Sequence, residues 1–301
     1  MNHLAIDAQT RIVALLGSPV HHSLSPAMHN AAFSALNLNW RYVVLPVSED
    51  GLRSAIELCR DGAIAGLNIT APYKNLATTL IDVLDTTAIS SGTVNTITCH
   101  DGNLTGHNTD SQGFWHSVTE TSQIFDWTGR RALVIGAGGV SRAICSALAG
   151  AGLAHIHVAA RNPDSANKTV NHFQPYYDTI RWSTGGLNQI PFSDEPFDLI
   201  VNATSAGNGT LPGTVEYAHY SEWFAKLVYA VVRPMTWFVD TIYRPSPTPF
   251  CDAAQRYGSH WMTGLGMLLW QGCLAFELWT AQTAPSCVMR QALTEAITIQ
   301  P

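Results

Sequence analysis

The chain has 301 residues, 46% of them hydrophobic and only 13% charged, and 22 acidic against 16 basic side chains give a formal net charge of −6. So apolar a composition excludes a disordered chain, and so few cations exclude the electrostatic footprint of a nucleic-acid binder. The length argues for about two domains, and any anionic ligand must be held by local donors: backbone amides, hydroxyls or one or two placed arginines.

Short β-branched runs alternate with segments of helical period, the pattern of parallel α/β layers. Met1–Arg11 has no basic flank leading into an apolar run, so no leader is expected and the reading is a cytoplasmic protein. Residues 11–16 predict a strand running into Gly17-Ser18-Pro19. Ser25-Pro26 then opens a helix, with Ser25 as its cap and Pro26 in its first position. A strand over 40–47 follows, then a helix capped by Ser48 with Leu52, Ala55, Ile56 and Cys59 on one face. Residues 65–70 read as a strand, 75–83 as a helix and 86–91 as a shorter one. Residues 94–99 and 103–108 form a hairpin closed at Asp101-Gly102, and another helix starts near Asp110, where a carboxylate can serve as cap.

From Arg131 the pattern becomes that of a doubly wound, nucleotide-type sheet. Strands are expected over 132–135, 155–160, 180–183, 199–203 and 238–242, with a helix over 140–149. Helices over 265–279 and 288–296 close the chain. The apolar tract 264–279 is interrupted by Gln271 and Glu277 and is too short to span a bilayer. Six scattered cysteines without a C-x-x-C read as small core residues, and twelve histidines without a metal-ligand spacing predict no metal. His21 and His22 are adjacent on a loop and do not converge on one ion.

Gly136-Ala137-Gly138-Gly139-Val140-Ser141 is a G-x-G-x-x-small turn between a strand and a helix. Gly136 permits the tight turn, Gly138 admits a pyrophosphate to the backbone, and Ser141 stands where a third glycine is usual. A helix N-terminus then supplies free N–H groups for phosphates. About twenty residues on, the strand ends in Ala160-Arg161-Asn162, where an NAD-type fold places an acid; Arg161 suits the 2′-phosphate of NADP. Asp164 nearby tempers that preference, so NADP is expected and NAD stays open. Thr204, in the polar loop Asn202–Gly207 after a buried strand, borders the same site.

Three further segments each set hydroxyl or amide donors at a strand end: Gly17–Pro26, Leu67–Lys74, and Gly92–Thr96 with Gly106–Asp110. Together with the glycine turn, Asn202–Gly207 and Gly264–Gln271, their order and spacing resemble the shikimate dehydrogenase family over nearly the whole chain. The resemblance implies an α/β substrate domain, residues 1–111, completed by C-terminal helices in 263–301. Between them it implies a Rossmann-type NADP domain over 112–262. It implies the reversible NADP-dependent reduction of 3-dehydroshikimate to shikimate, on the route to chorismate and the aromatic amino acids. The protein would act on this small molecule as a monomer or homodimer, with no nucleic acid or membrane as partner. Two other readings stay open: an NAD-linked quinate/shikimate dehydrogenase and a non-catalytic nucleotide-binding relative.

Carried over by position, the family's catalytic pair falls on Lys74 and Asp110. Its substrate ligands fall on Ser23, Ser25 and Tyr243 for the carboxylate and on Thr70, Asn95 and Gln271 for the ring hydroxyls. Cofactor contacts fall on Gly136, Ala137, Gly138, Gly139, Val140, Arg161, Thr204 and Gly264. Read alone, Lys74 is a solvated lysine at a helix start; read as a pair, an amine oriented by a carboxylate can move a proton to and from a substrate oxygen. Three departures stand out. Ser165 occupies the place of a second phosphate-binding arginine, Ala281 the place of a usual glycine, and the stretch 209–236 matches poorly.

Overall fold

The protein is described here by a computed structural model covering residues 6–190, 196–229, 232–233 and 235–299. It divides into two compact units, residues 1–113 with 268–301 and residues 114–267. The outer limits of the expected substrate domain, 1–5 and 300–301, lie outside the described residues.

In the first unit, β1 (Arg11–Gly17) pairs in parallel with β2 (Trp40–Pro46) and β3 (Gly66–Ile69). The hairpin β5 (Thr96–His100) and β6 (Asn103–His107) adds antiparallel to β3, and β4 (Val83–Leu84) lies parallel to β6, giving the order β2-β1-β3-β5-β6-β4. The hairpin closes at Asp101 (φ 50°) and Gly102 (φ 77°), two successive left-handed residues as its tight turn requires. α1 is Ser25–Ala35, and α2 (Glu49–Arg60) buries Leu52, Ala55, Ile56 and Cys59, the face its periodicity predicts. These side chains pack with Ala14, Leu16, Leu67, Ile69, Ile97 and Leu104 into one core.

The expected helix over 75–83 is a single turn, α3 (Lys74–Ala77). Thr78 and Thr79 turn their hydroxyls back onto the carbonyls of Asn75 and Leu76, a local bond that competes with helix propagation. Val83 and Leu84 instead pair with Thr105 and Gly106. α4 (Thr86–Ser91) is capped by Asp85 and ends at left-handed Gly92. α5 is Thr109–Ser122 and α10 is Leu265–Thr280, and each passes from one unit into the other. Ala281 follows α10 at φ 53°, the left-handed conformation that glycine adopts without strain.

The second unit is an all-parallel sheet, β12-β11-β10-β7-β8-β9. Its strands are β7 (Arg131–Ile135), β8 (His155–Ala160), β9 (Arg181–Gly186), β10 (Leu199–Asn202), β11 (Trp237–Asp240) and β12 (His260–Met262). The period of two sorts the strand residues onto two faces. Ala132, Val134, Ile156, Val158, Leu199 and Val201 join one core, while Leu133, Ile135, Ala159, Ile200 and Phe238 join the other. α6 (Gly139–Gly150) and α7 (Pro163–Phe173) bury residues in the first core. α8 (Val215–Val228) and α9 (Pro249–Arg256), neither anticipated from sequence, bury theirs in the second. α11 (Ser286–Ile299) ends the chain in the first unit.

Candidate active site

Lys74 opens α3 just beyond the end of β3, and Asp110 is the second residue of α5. Lys74 Nζ donates to Asp110 Oδ2 at 2.5 Å, with the two side chains only 12% and 7% exposed. The Val94 N–H donates to the Lys74 carbonyl (2.9 Å), which ties the lysine backbone to the strand region. Asp110 is not the cap of its helix, contrary to the sequence expectation. That role falls to Asn108, whose Oδ1 accepts from the Ser111 N–H at 3.1 Å. The carboxylate is thereby left to the lysine. Removing either partner would strand a desolvated charge, so the pair is a strict unit.

The first turn of α5 gathers other site residues as well. Asn95 is 2% exposed; its Oδ1 accepts from the Thr109 N–H (2.8 Å) and its Nδ2 donates to Thr109 Oγ1 (2.9 Å). An amide carries two N–H donors, so one is left for a ligand. Gly113, one turn past Asp110, meets the backbone of Gln271: a Cβ there would lie 2.5 Å from the Gln271 nitrogen. Gln271 Nε2 donates to the Leu268 carbonyl at 2.8 Å. Lys74, Asp110 and Asn95 are thus assembled around one helix start, and the Gln271 backbone packs against the same helix at Gly113.

Behind them runs a buried polar chain that sequence reasoning missed. Asn68 donates from Nδ2 to the Asn95 carbonyl and to Thr96 Oγ1, both at 3.0 Å, and its Oδ1 accepts from the Tyr42 hydroxyl at 2.7 Å. Burial pushes the Tyr42 phenol well above its usual range, keeping it a neutral donor. The available signal was an amide set between the core residues Leu67 and Ile69 of a buried strand.

Ser23, Ser25 and Thr70 lie at the ends of β1 and β3. The Thr70 N–H donates to Leu16 (2.9 Å), the Ser18 N–H to Ala71 (3.1 Å), and a Cβ on Gly17 would come within 2.4 Å of Thr70 Cγ2. Ser25 is already the first residue of α1, not its cap. The cap position falls to Leu24, which makes no side-chain cap bond, and Ser23 Oγ accepts from the Ser25 N–H at 3.2 Å. Tyr243 and Gly264 belong to the other unit. A Cβ on Gly264 would fall 2.2 Å from the Thr241 carbonyl oxygen, so that close approach demands glycine.

In the second unit the glycine turn opens a cavity of about 710 Å³. Gly136 stands at φ 117° with Ala203 pressed against it, and Ser141 Oγ donates to the Gly136 carbonyl at 2.7 Å, closing the turn where a third glycine is usual. Gly138 is the cap of α6 without a side-chain bond, and nothing stands within 4 Å of where its Cβ would be. Uncapped N–H groups at a helix start beside open space fit a phosphate, and the volume fits a ligand of nucleotide size. Gly136, Ala137, Gly138, Arg161 and Thr204 line this cavity. Gly139 is the first residue of α6, and Val140 packs its side chain on the core, leaving its backbone for a ligand. Asn162 and Ser165 line it too, and among the described lining residues there is no carboxylate.

Thr204 is held by Asn202, whose Oδ1 accepts from both the Thr204 N–H and Oγ1. Asn202 Nδ2 in turn donates to Asp240 at 2.9 Å. Burial raises the Asp240 carboxyl to about 7, against the opposing bonds from Thr248, Ile242 and Asn202. His219, Tyr220 and Trp223 of α8 form a further wall that the sequence reading left without a role. Among the described residues no cluster of His, Cys, Asp or Glu could hold a metal ion, and no helix is long and apolar enough to cross a membrane.

Comparison with known proteins gives a consistent result. A family model described as the shikimate dehydrogenase substrate binding domain matches residues 15–97. One described as shikimate / quinate 5-dehydrogenase matches 119–214, and the shikimate 5′-dehydrogenase C-terminal domain matches 264–294. The chain is 38% identical over 301 residues to the shikimate dehydrogenase (NADP(+)) of Desulforamulus reducens, covering 99% of each protein. A shikimate dehydrogenase solved in complex with NADP+ superposes with a TM-score of 0.84 at 32% identity, over 97% of this chain and 98% of that one. The enzyme of Thermus thermophilus, solved with NADP(H) and shikimate, gives 0.77 at 33% identity over 95% and 99%.

Proposed function

The chain belongs to the shikimate dehydrogenase family, and from that membership we propose that it catalyses the reversible NADP-dependent reduction of 3-dehydroshikimate to shikimate. The observation that carries the reading is the buried Lys74–Asp110 pair. NADPH, when bound, supplies the hydride that reduces the ring ketone. Lys74 gives a proton from Nζ to the ketone oxygen as that oxygen gains charge, and accepts it back when shikimate is oxidised. Asp110 fixes the direction of that N–H bond and takes a substrate hydroxyl on its other oxygen.

A substrate with one carboxylate needs no arginine: the hydroxyls of Ser23, Ser25 and Tyr243 suffice as donors. Thr70, Asn95 and Gln271 serve the ring hydroxyls, Asn95 with its remaining amide hydrogen. Such directional partners reject an analogue lacking a hydroxyl, because a buried group is then left unpaired. For the cofactor, the backbone of Gly136, Ala137, Gly138, Gly139 and Val140 replaces the lysines that this anionic chain lacks. Arg161 serves the 2′-phosphate, with Thr204 and Gly264 toward the nicotinamide. All six cysteines are free, which suits the reducing cytoplasm. Sedimentation decides between monomer and homodimer.

The test is a matrix of kcat/KM for shikimate and quinate with NADP+ and NAD+. The expected maximum is shikimate with NADP+. A folded protein that binds NADP+ yet turns over neither substrate would overturn the reading in favour of a non-catalytic relative.

A further inference from the structure

The dinucleotide cavity has a wall outside the family models. Their matches stop at residue 214 and resume at 264, and α8 lies wholly in that gap. Its residues 219, 220 and 223 share one helical face by their spacing of three and four, and all three line the cavity. The opposite face is anchored at several points. Tyr217, Ser221, Phe224, Ala225 and Val228 are buried, the Tyr217 hydroxyl donates to the Pro247 carbonyl at 3.1 Å, and Ser221 bonds to Asp252. Phe224 meets Phe250 edge-on at 5.0 Å. So tethered, α8 cannot roll its other face out of the cavity.

The chemistry of that face matches an adenosine phosphate. Trp223 packs with Leu187 and Ala206 against the same core, and those two also line the cavity. An indole and two aliphatic side chains in one cavity lining offer apolar surface to a flat heterocycle. His219 is exposed at the cavity and, with Arg161, completes its described basic side chains. Ser165, which stands in the place of a second arginine, lines the cavity with a hydroxyl only.

Resting on the reading of this cavity as the NADP site, we propose that α8 is the adenosine-recognition element of this chain. Trp223 faces the purine, and His219 gives the 2′-phosphate the second N–H partner that position 165 lacks.

The test is direct binding of 2′,5′-ADP and 5′-ADP to the full-length protein by calorimetry, which needs no turnover. His219→Ala, which removes the N–H donor, is expected to weaken 2′,5′-ADP about tenfold, the scale of one hydrogen bond to a charged group, and 5′-ADP less than twofold. Trp223→Ala is expected to weaken both nucleotides together by about tenfold or more, and Trp223→Phe to restore most of the loss. Equal effects of His219→Ala on the two nucleotides, or none, would overturn the phosphate assignment. Unchanged binding in Trp223→Ala, or in Trp223→Leu should the alanine variant not fold, would overturn the role of α8. A wild-type protein that prefers 5′-ADP would instead sink the NADP reading itself. Tight 2′,5′-ADP binding with silent variants sinks only the role of α8.

Discussion

The two units build their sites by opposite means. Around Lys74 and Asp110 the proposed recognition rests on side chains, each locked by another: Asn95 on Thr109, Asn68 on Asn95 and Thr96, Tyr42 on Asn68. Around Gly136 and Gly138 the turn offers backbone N–H groups beside open space, and side chains enter the cavity only further out, at Arg161, Thr204 and α8. A site of the first kind is coupled to the stability of its fold, because Lys74, Asp110 and Asn95 are themselves members of its hydrogen-bonded interior. A site of the second kind can lose its ligand and keep its fold. Substitutions in the two should therefore fail differently.

The largest effect is expected at Lys74, the proposed proton donor. Lys74→Ala should lower kcat by roughly 10²–10⁴-fold with little change in KM, since the bond to the reacting oxygen matures in the transition state. Near-normal turnover in steady-state assays would remove Lys74 from the chemistry. Next comes the buried carboxyl behind Thr204. Asp240 has a native value of about 7, above its unfolded one, so the folded state holds the extra proton. Its share of stability is present at low pH and is lost as pH rises from about 4 to about 7, a swing of a few kcal/mol. Asp240→Asn lacks that loss, so chemical denaturation should show the variant gaining on wild type across this interval; a flat difference refutes the sign.

Asn68→Ala tests the coupling directly. It leaves the Tyr42 hydroxyl and Thr96 without their amide and should cost about 2 kcal/mol in denaturant unfolding, with shikimate affinity falling as well. Loss of affinity at full stability would mean that the chain behind Asn95 is not structural support. Arg161→Ala should raise KM for NADP+ about tenfold and for NAD+ much less, on the scale of one charge-assisted bond. Gly138→Ala should do the converse of Asn68→Ala. Its methyl enters open space, so thermal stability should hold within about 0.5 kcal/mol, while NADP+ binding weakens severalfold. A destabilised Gly138→Ala would erase the contrast between the units.

These contrasts also explain what could be read in advance. The glycine turn and the α2 face were legible because local chemistry decides them: a phosphate-sized gap needs glycine, and burial selects every third or fourth residue. The Lys74–Asp110 pair was legible through family resemblance, not spacing, since the two lie 36 positions apart and only the pairing of β3 with the hairpin that leads into α5 brings them to 2.5 Å. Elsewhere one plausible local signal lost to a neighbour. Ser25 reads as a cap, but α1 already includes it and the cap position falls to Leu24; Asp110 reads as a cap, but Asn108 precedes it. Residues 75–83 carry a helical pattern that the hydroxyls of Thr78 and Thr79 cut short. α8 was invisible as a site wall, because nothing local says that His219 and Trp223 will look into a cavity founded some eighty residues earlier.

The cap of α5 carries a consequence for how this centre tolerates change. Neighbouring residues divide two jobs, one finishing the helix and the other facing the lysine. An exchange at Asn108 to a residue without an acceptor would leave the Ser111 amide wanting one. The nearest carboxylate is the one engaged with Lys74, and it would be drawn off. Activity would then decline with every reacting group still present, a lesion that an inventory of catalytic residues would overlook.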